Sequence, residues 1–313
     1  MRKPVYYALV VVVSIFTSCN TTDETKSKEN STEVKTETFT EGSVEMGMFS
    51  QGVDLGKLLG KIDFSRDDVQ QQYDSLHQHN KDVKAIFELI EQAGKQNPML
   101  AWAIMMNILE STYFIKENMV LANARGFGWN TQHYYNIAED KGSMYFETHT
   151  RIPEIPEADR SIYVTYQPSV EQGSTSSNTL DLGNFNREVQ SKQENIAGYN
   201  CNVVTFTAKA IDETLPLQLY KIKVYTSSLF SNAINFAHPF YLEEPGGILR
   251  LDVFYTASDT PTLVMEPKQV KSHTVSAESL SSKTATPVYA YDDTNWAFKS
   301  LAIMMSGWGE LEN

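Results

Sequence analysis

The chain has 313 residues and a formal net charge of −13, from 26 basic and 39 acidic side chains. So acidic a protein repels phosphate backbones, and no stripe of basic and aromatic residues offsets the repulsion, which argues against a nucleic-acid partner. With two cysteines in the whole chain, a fold stapled by several disulfides is excluded.

The N-terminus has the pattern of an export signal. Two basic residues precede an apolar run over residues 5–16, which as a helix would span about 18 Å, too short to cross a bilayer. The run ends in Phe16-Thr17-Ser18-Cys19, which resembles a bacterial lipobox. The resemblance implies a signal peptide over residues 1–18, acylation of Cys19, and a cell-envelope protein held in the outer membrane by its lipid, facing the periplasm or the cell surface. The alternative is an ordinary signal peptide with a chance cysteine.

Residues 19–48 are predicted to form a disordered tether between the lipid and the domain. Thr, Ser, Lys, Glu and Asn dominate residues 20–45, and such a segment buries too little apolar surface to offset its loss of chain entropy. Deleting residues 22–40 should therefore leave the melting temperature nearly unchanged. The rest of the chain, residues 49–313, is predicted to form a single α+β domain.

The first part of this domain, residues 49–98, is predicted to be helical. Val83, Ile86, Phe87 and Ile90 recur at a helical spacing and form one apolar stripe, as in a helix that faces a core. The pattern predicts a helix over residues 66–92, broken near Asn80 and ended by Gly94 and Pro98.

Residues 99–313 are predicted to form an antiparallel sheet followed by a helical tail. Short runs rich in β-branched and aromatic residues alternate with turn clusters, and two of them alternate apolar with charged side chains, as a sheet with one wet face requires. About nine or ten strands indicate a large curved antiparallel sheet, an open or incomplete β-barrel, with packed helices. Two hairpins are predicted: strands 113–115 and 119–121 flank residues 116–118, and strands 134–137 and 144–147 flank residues 139–142. The other predicted strands include 161–166, 203–206, 220–224, 249–253, 263–265 and 270–275, with the helical tail at 296–308.

Three short motifs resemble a known family. They are Ile196-Ala197-Gly198-Tyr199-Asn200-Cys201 before a strand, then Lys223-Val224-Tyr225-Thr226, then Glu244-Pro245-Gly246-Gly247-Ile248-Leu249. This order is similar to that of the GLPGLI-type envelope lipoproteins of Bacteroidota and their domain-of-unknown-function relatives, over roughly residues 112–279. The resemblance implies a fold like that of the lipoprotein-localisation carriers, an incomplete barrel around an apolar cavity, and it implies no established reaction.

The residue patterns give no catalytic site, no metal site and no cofactor motif. His77 and His79 are two apart on a predicted helix and point about 200° apart, so they cannot share a metal ion. The glycine-spaced Gly126-Phe127-Gly128-Trp129 suits a turn packed on the sheet better than a phosphate cradle. Cys201 is interpreted as a buried small apolar residue, with a reactive thiol as the alternative.

The leading hypothesis on function comes from two apolar segments that are rich in methionine and tryptophan, Met99–Met106 and Trp296–Trp308. Such side chains adapt to apolar ligands of varied shape, although ordinary core packing explains them as well. The hypothesis is a non-enzymatic protein that binds an apolar, lipid-like molecule inside the open barrel. A protein-interaction module with a plugged cavity, and a hydrolase whose site forms only on folding, remain alternatives. The candidate cavity residues are Trp102, Met105, Met106, Met304, Met305 and Trp308.

Overall fold

The computed structural model describes residues 34–151, 155–168, 182–212, 215, 217–237, 244–309 and 311. The predicted signal peptide and Cys19 lie outside these residues. Among the helices in the described ranges, none is long and apolar enough to cross a membrane.

One large sheet and four helices make up the regular structure of these ranges, an α+β architecture. The helices are α1 (Val69–His79), α2 (Lys81–Gln96), α3 (Pro98–Met105) and α4 (Asn295–Gly309). The strands are β1 (Glu41–Ser50), β2 (Val53–Asp54), β3 (Glu110–Lys116), β4 (Met119–Gly126), β5 (Trp129–Asn136), β6 (Lys141–Thr148), β7 (Ser161–Tyr166), β8 (Phe185–Val189), β9 (Glu194–Ile196), β10 (Tyr199–Ala208), β11 (Lys221–Ser227), β12 (Gly247–Phe254), β13 (Leu263–Ser272) and β14 (Val288–Ala290).

The sheet is mixed and does not close on itself. Its order is β14-β7-β6-β5-β4-β3-β1-β13-β12-β11-β10-β8, with β2 paired to β1 and β9 paired to β10. The prediction of a wholly antiparallel sheet is wrong at one edge, where β14 runs parallel to β7. The chain reaches that edge through a long connection after β13, so no tight turn forces β14 to run antiparallel.

The predicted break in the N-terminal helix is confirmed. Asn80 ends α1 and caps α2, because its side-chain oxygen accepts hydrogen bonds from the backbone N–H groups of Asp82 and Val83, both at 3.1 Å. The next element differs from the prediction, since the segment from residue 98 begins with α3 rather than with the sheet. Asn97 caps α3 by accepting a hydrogen bond from the Met99 N–H at 2.9 Å, and Pro98 occupies its first turn.

The hairpins predicted on either side of residues 116–118 and 139–142 are confirmed as β3–β4 and β5–β6. The helical tail is confirmed as α4. The two strands predicted at 263–265 and 270–275 are a single strand, β13, because it pairs along most of its length with β1.

The predicted tether is wrong at its C-terminal end. Residues 41–48 belong to β1, which lies between β3 and β13 in the sheet and buries Val44, Met46 and Met48. Phe39, just before it, is buried as well. Short and polar side chains give this stretch the composition of a linker, whereas its alternate apolar residues face the core.

The apolar core has two parts. The larger part lies between one face of the sheet and helices α1 to α3, and residues such as Val83, Ile86 and Leu100 join it from those helices. The smaller part lies beneath α4, where Trp296 and Ile303 pack on Trp129 and Val164. Of these helices, α4 packs against the turn between β4 and β5 through Gly307 and Trp308.

Candidate functional site

A cleft of about 370 Å³ opens where strands β4 and β5 meet the chain that precedes α1. Residues 58–60 and 62–65 form one wall, and residues 125–128 and 130, in and beside the turn between β4 and β5, form the other. His149, one residue beyond β6, lies at the rim. The volume is within the range of pockets that hold small molecules.

The floor of the cleft is apolar. Leu58, Ile62, Phe64 and Phe127 all line it and are themselves buried against the core. The rings of Phe64 and Phe127 meet edge to face with centroids 5.0 Å apart, which ties the two walls together. The floor is therefore held in place by core packing.

The β4–β5 turn has its shape because of its glycines. Gly128 has a φ of +81°, a left-handed conformation that favours glycine. A Cβ on Gly126 would lie 2.2 Å from the indole nitrogen of Trp129, so the Trp129 ring occupies the space that a side chain would need. The structure thus confirms that Gly126-Phe127-Gly128-Trp129 is a turn packed on the sheet, and the turn directs Phe127 into the floor of the cleft.

Helix α4 supports this turn from behind. Gly307 lies so close to the turn that a Cβ added to it would be 2.0 Å from the Phe127 carbonyl oxygen. The next residue, Trp308, places its ring 4.3 Å from that of Phe127 and donates a hydrogen bond from Nε1 to the Met105 carbonyl at 2.9 Å. Its ring is also 6.0 Å from Phe87 on α2, so one tryptophan joins α2, α3 and α4 behind the cleft.

The rim carries polar groups with unused hydrogen-bonding capacity. Arg125 donates from Nη2 to Glu110 at 2.6 Å, and no other polar partner of its guanidinium lies in the described chain. The imidazole of His149 is exposed and has no hydrogen-bond partner among the same residues. Asn130 donates one hydrogen bond from Nδ2 to Glu147 at 3.3 Å. Three polar side chains therefore surround an apolar floor.

The acidic residue of the cleft is engaged within its own loop. The carboxylate of Asp63 accepts hydrogen bonds from the hydroxyl and the backbone N–H of Ser65, at 2.6 and 3.0 Å. These bonds, together with the nearby charges of Arg66 and Arg151, lower the pKa of Asp63 below its usual value. Asp63 is thus a carboxylate at neutral pH and a weak proton acceptor.

The six residues predicted to line a cavity do not surround one opening. Trp308 is buried behind the floor of the cleft, and Met105 packs on the same core. Met304 on α4 packs against the smaller part of the core, whereas its neighbour Met305 is 38% exposed, because consecutive residues on a helix point about 100° apart. Trp102 is 40% exposed on α3, and Met106 is the residue that ends that helix. None of the six lines the cleft.

A second group of titratable side chains lies on the inner strands of the sheet. Nε2 of His133 is hydrogen bonded to the hydroxyl of Tyr166, which lies across the backbone of Gly142. Desolvation by burial lowers the pKa of His133 to about 4 and raises that of Tyr166, so both groups are neutral at neutral pH. The ring centroid of Tyr291 lies 5.5 Å from that of Tyr166 and 5.4 Å from that of Trp296 on α4. The cluster is therefore part of the packing under α4.

Cys201 lies on β10 and is fully buried. Burial raises the pKa of its thiol to about 12, which keeps it protonated and unreactive, in agreement with its interpretation as a small apolar residue. In the ranges that the structure describes, no three His, Cys, Asp or Glu side chains converge as metal ligands.

The chain matches no protein-family model and no curated protein at significant similarity. The assignment of the candidate site therefore rests on its geometry alone. The sequence singled out Phe127 and its glycines as a turn, but nothing in the pattern connected them with residues 58–65, about 65 positions earlier in the chain.

Proposed function

We propose that the protein is a non-enzymatic envelope lipoprotein that binds a small apolar or amphipathic molecule in the cleft beside the β4–β5 turn. The observation that carries the proposal is a cleft of about 370 Å³ whose floor is apolar and already packed and whose rim is polar. Binding sites for small molecules combine these features. The envelope location rests on the sequence around Cys19 and the export signal before it.

We propose that the ligand binds at the ends of strands β4 and β5 rather than inside the curve of the sheet. We regard the unclosed sheet as an incomplete barrel, the form that the family resemblance implies. Large side chains such as Tyr113, Ile115 and Phe206 are fully buried in the core on its helix-covered face. That face is filled by the protein's own side chains, so the cleft is the better place for a ligand.

Binding without catalysis agrees with the chemistry of the cleft. The Ser65 hydroxyl is bonded directly to Asp63, the only arrangement in the cleft that resembles a nucleophile with a base. A general base works best with a pKa near the operating pH, whereas the pKa of Asp63 is lowered. Asp63 is therefore poorly suited to take a proton from Ser65.

A second candidate function is that of a protein-interaction module. On α4, Phe298, Leu301 and Met305 are 73%, 42% and 38% exposed, and their spacing of three and four residues places them on one side of the helix. The charged residue of this helix, Lys299, is paired with Asp159 away from that side. Exposed apolar surface of this kind often contacts another protein, here one of the envelope.

Replacing Leu59 by glutamate separates the two candidates. Leu59 lines the cleft, so a carboxylate there must be desolvated when an apolar molecule binds, which costs several kcal/mol. With the neutral fluorescent probe N-phenyl-1-naphthylamine, we expect micromolar binding to the native protein and at least about tenfold weaker binding to L59E. The matched control is L301E on the exposed side of α4, which should bind the probe like the native protein.

Two results would contradict the proposal. One is native protein that does not bind the probe at micromolar concentration. The other is a loss of binding in L301E but not in L59E, which would place the apolar site on α4 and favour the interaction module. Melting temperatures of both variants, measured in the same samples, show that each is folded.

A further inference from the structure

We infer that the cleft selects an amphipathic anion, with a carboxylate head on an apolar body. The inference rests on the proposed function, since it specifies what the same cleft binds. Three features carry it: the size of the cleft, the free donors on its rim, and the way in which its own carboxylates are neutralised.

The cleft is large enough for a small amphipathic molecule. Its volume of about 370 Å³ lies within the range of pockets that hold small molecules. The edges of Leu58, Ile62, Phe64 and Phe127 line it, although most of each side chain is buried against the core, and the apolar part of the ligand lies against these edges.

Arg125 is the residue best placed to hold the head group. One of its terminal nitrogens binds Glu110, which leaves Nη1 and Nε without a polar partner in the described residues. Glu110 has a second cation, Lys268, at 3.5 Å, and Lys268 also holds Asp54 at 2.9 Å. Arg125 can therefore turn toward a ligand without leaving Glu110 unpaired. A guanidinium binds a carboxylate through two parallel hydrogen bonds, which a neutral head group cannot reproduce.

His149 adds a second donor on the same rim. Its backbone N–H is bonded to the Gly128 carbonyl at 2.9 Å, which fixes the residue beside the β4–β5 turn. Its exposed imidazole has no partner among the residues described. Arg125 and His149 thus offer N–H groups over an apolar floor.

The negative charges near the cleft do not cancel this preference. Asp63 is bonded to Ser65 and has the charges of Arg66 and Arg151 nearby. Glu110 is shared between two cations. The net charge of −13 acts on a ligand mainly from a distance, and at physiological salt it is screened over about 8 Å. The groups at the rim therefore decide the sign of the ligand's charge.

Calorimetric titration with three ligands of one chain length tests the inference. We expect sodium decanoate to bind the native protein at least about tenfold more tightly than 1-decanol or decylammonium. In R125Q, the affinity for decanoate should fall to that for decanol. The control K95Q removes one positive charge from an exposed position on α2 and should leave all three affinities unchanged.

The outcomes distinguish the inference from the proposed function. Equal affinities for decanoate and decanol would overturn the anion preference and leave the apolar cleft in place, and tighter binding of decylammonium would reverse its sign. If none of the three ligands binds, the proposed function fails as well. The comparison of ligands on native protein does not depend on the folding of R125Q, and the melting temperature of R125Q checks that variant separately.

Discussion

Replacing Gly307 by alanine is expected to destabilise the protein by about 2 to 4 kcal/mol. In an ordinary helix the change would stabilise by up to about 1 kcal/mol, because alanine loses less backbone entropy than glycine. Here the new Cβ would lie 2.0 Å from the Phe127 carbonyl oxygen and 3.0 Å from the Gly128 Cα, both of which are backbone atoms. Overpacking of this kind costs about 1–3 kcal/mol, and moving α4 away from the turn also loosens the contact of Trp308 with Phe127.

The matched control is Gly94→Ala on α2. Its Cβ would meet the Cβ of Ala101 at 3.6 Å, an ordinary contact, so this variant should be as stable as the native protein or slightly more stable. The free energies of unfolding are measured by urea denaturation. If both alanines stabilise the protein to a similar extent, α4 does not rest on the β4–β5 turn as described. Because Gly307 supports the floor of the cleft, G307A should also weaken binding of N-phenyl-1-naphthylamine.

The change Phe39→Ala is expected to cost about 3 to 5 kcal/mol, the usual loss for a buried phenylalanine. Phe39 is 4% exposed, and its ring stacks on that of Phe230 with centroids 4.6 Å apart. Its N–H donates a hydrogen bond to the Leu229 carbonyl at 2.7 Å. This prediction replaces the expectation that residues 22–40 can be deleted without effect, because the end of that segment is part of the core.

Phe298→Ala is the control for this experiment. Phe298 is 73% exposed on α4, so truncating the same side chain there should change the free energy of unfolding by less than about 0.5 kcal/mol. Urea denaturation of the two variants and the native protein gives the comparison. Equal stabilities for F39A and F298A would show that the chain before β1 does not contribute to the fold.

Local sequence patterns predicted the local elements of this fold. The stripe of Val83, Ile86 and Ile90 identified α2, and Asn80 marked its start because an asparagine side chain caps a helix well. The turn residues between β3 and β4 and between β5 and β6 identified both hairpins. In each case the residues that determine the structure are close in sequence.

The elements that sequence reasoning missed depend on contacts between distant residues. Residues 41–48 have the composition of a linker and become β1 only because β3 and β13 provide partners about 65 and 225 positions later in the chain. The cleft has the same origin, since Phe64 and Phe127 come together through the fold rather than through any motif. A high content of methionine and tryptophan identifies a segment as apolar. It does not show which side chains face the core, and in the structure Met304 points inward and Met305 outward.

Photo-crosslinking with a decanoate that carries a diazirine on its chain tests the central claim most directly, because it reports where the ligand lies. We predict that mass spectrometry of the irradiated native protein finds the adduct on peptides that contain residues 58–65 or 125–130, and that excess decanoate suppresses it. Adducts confined to residues 297–305 of α4, or spread along the chain and insensitive to competition, would contradict a binding site in the cleft.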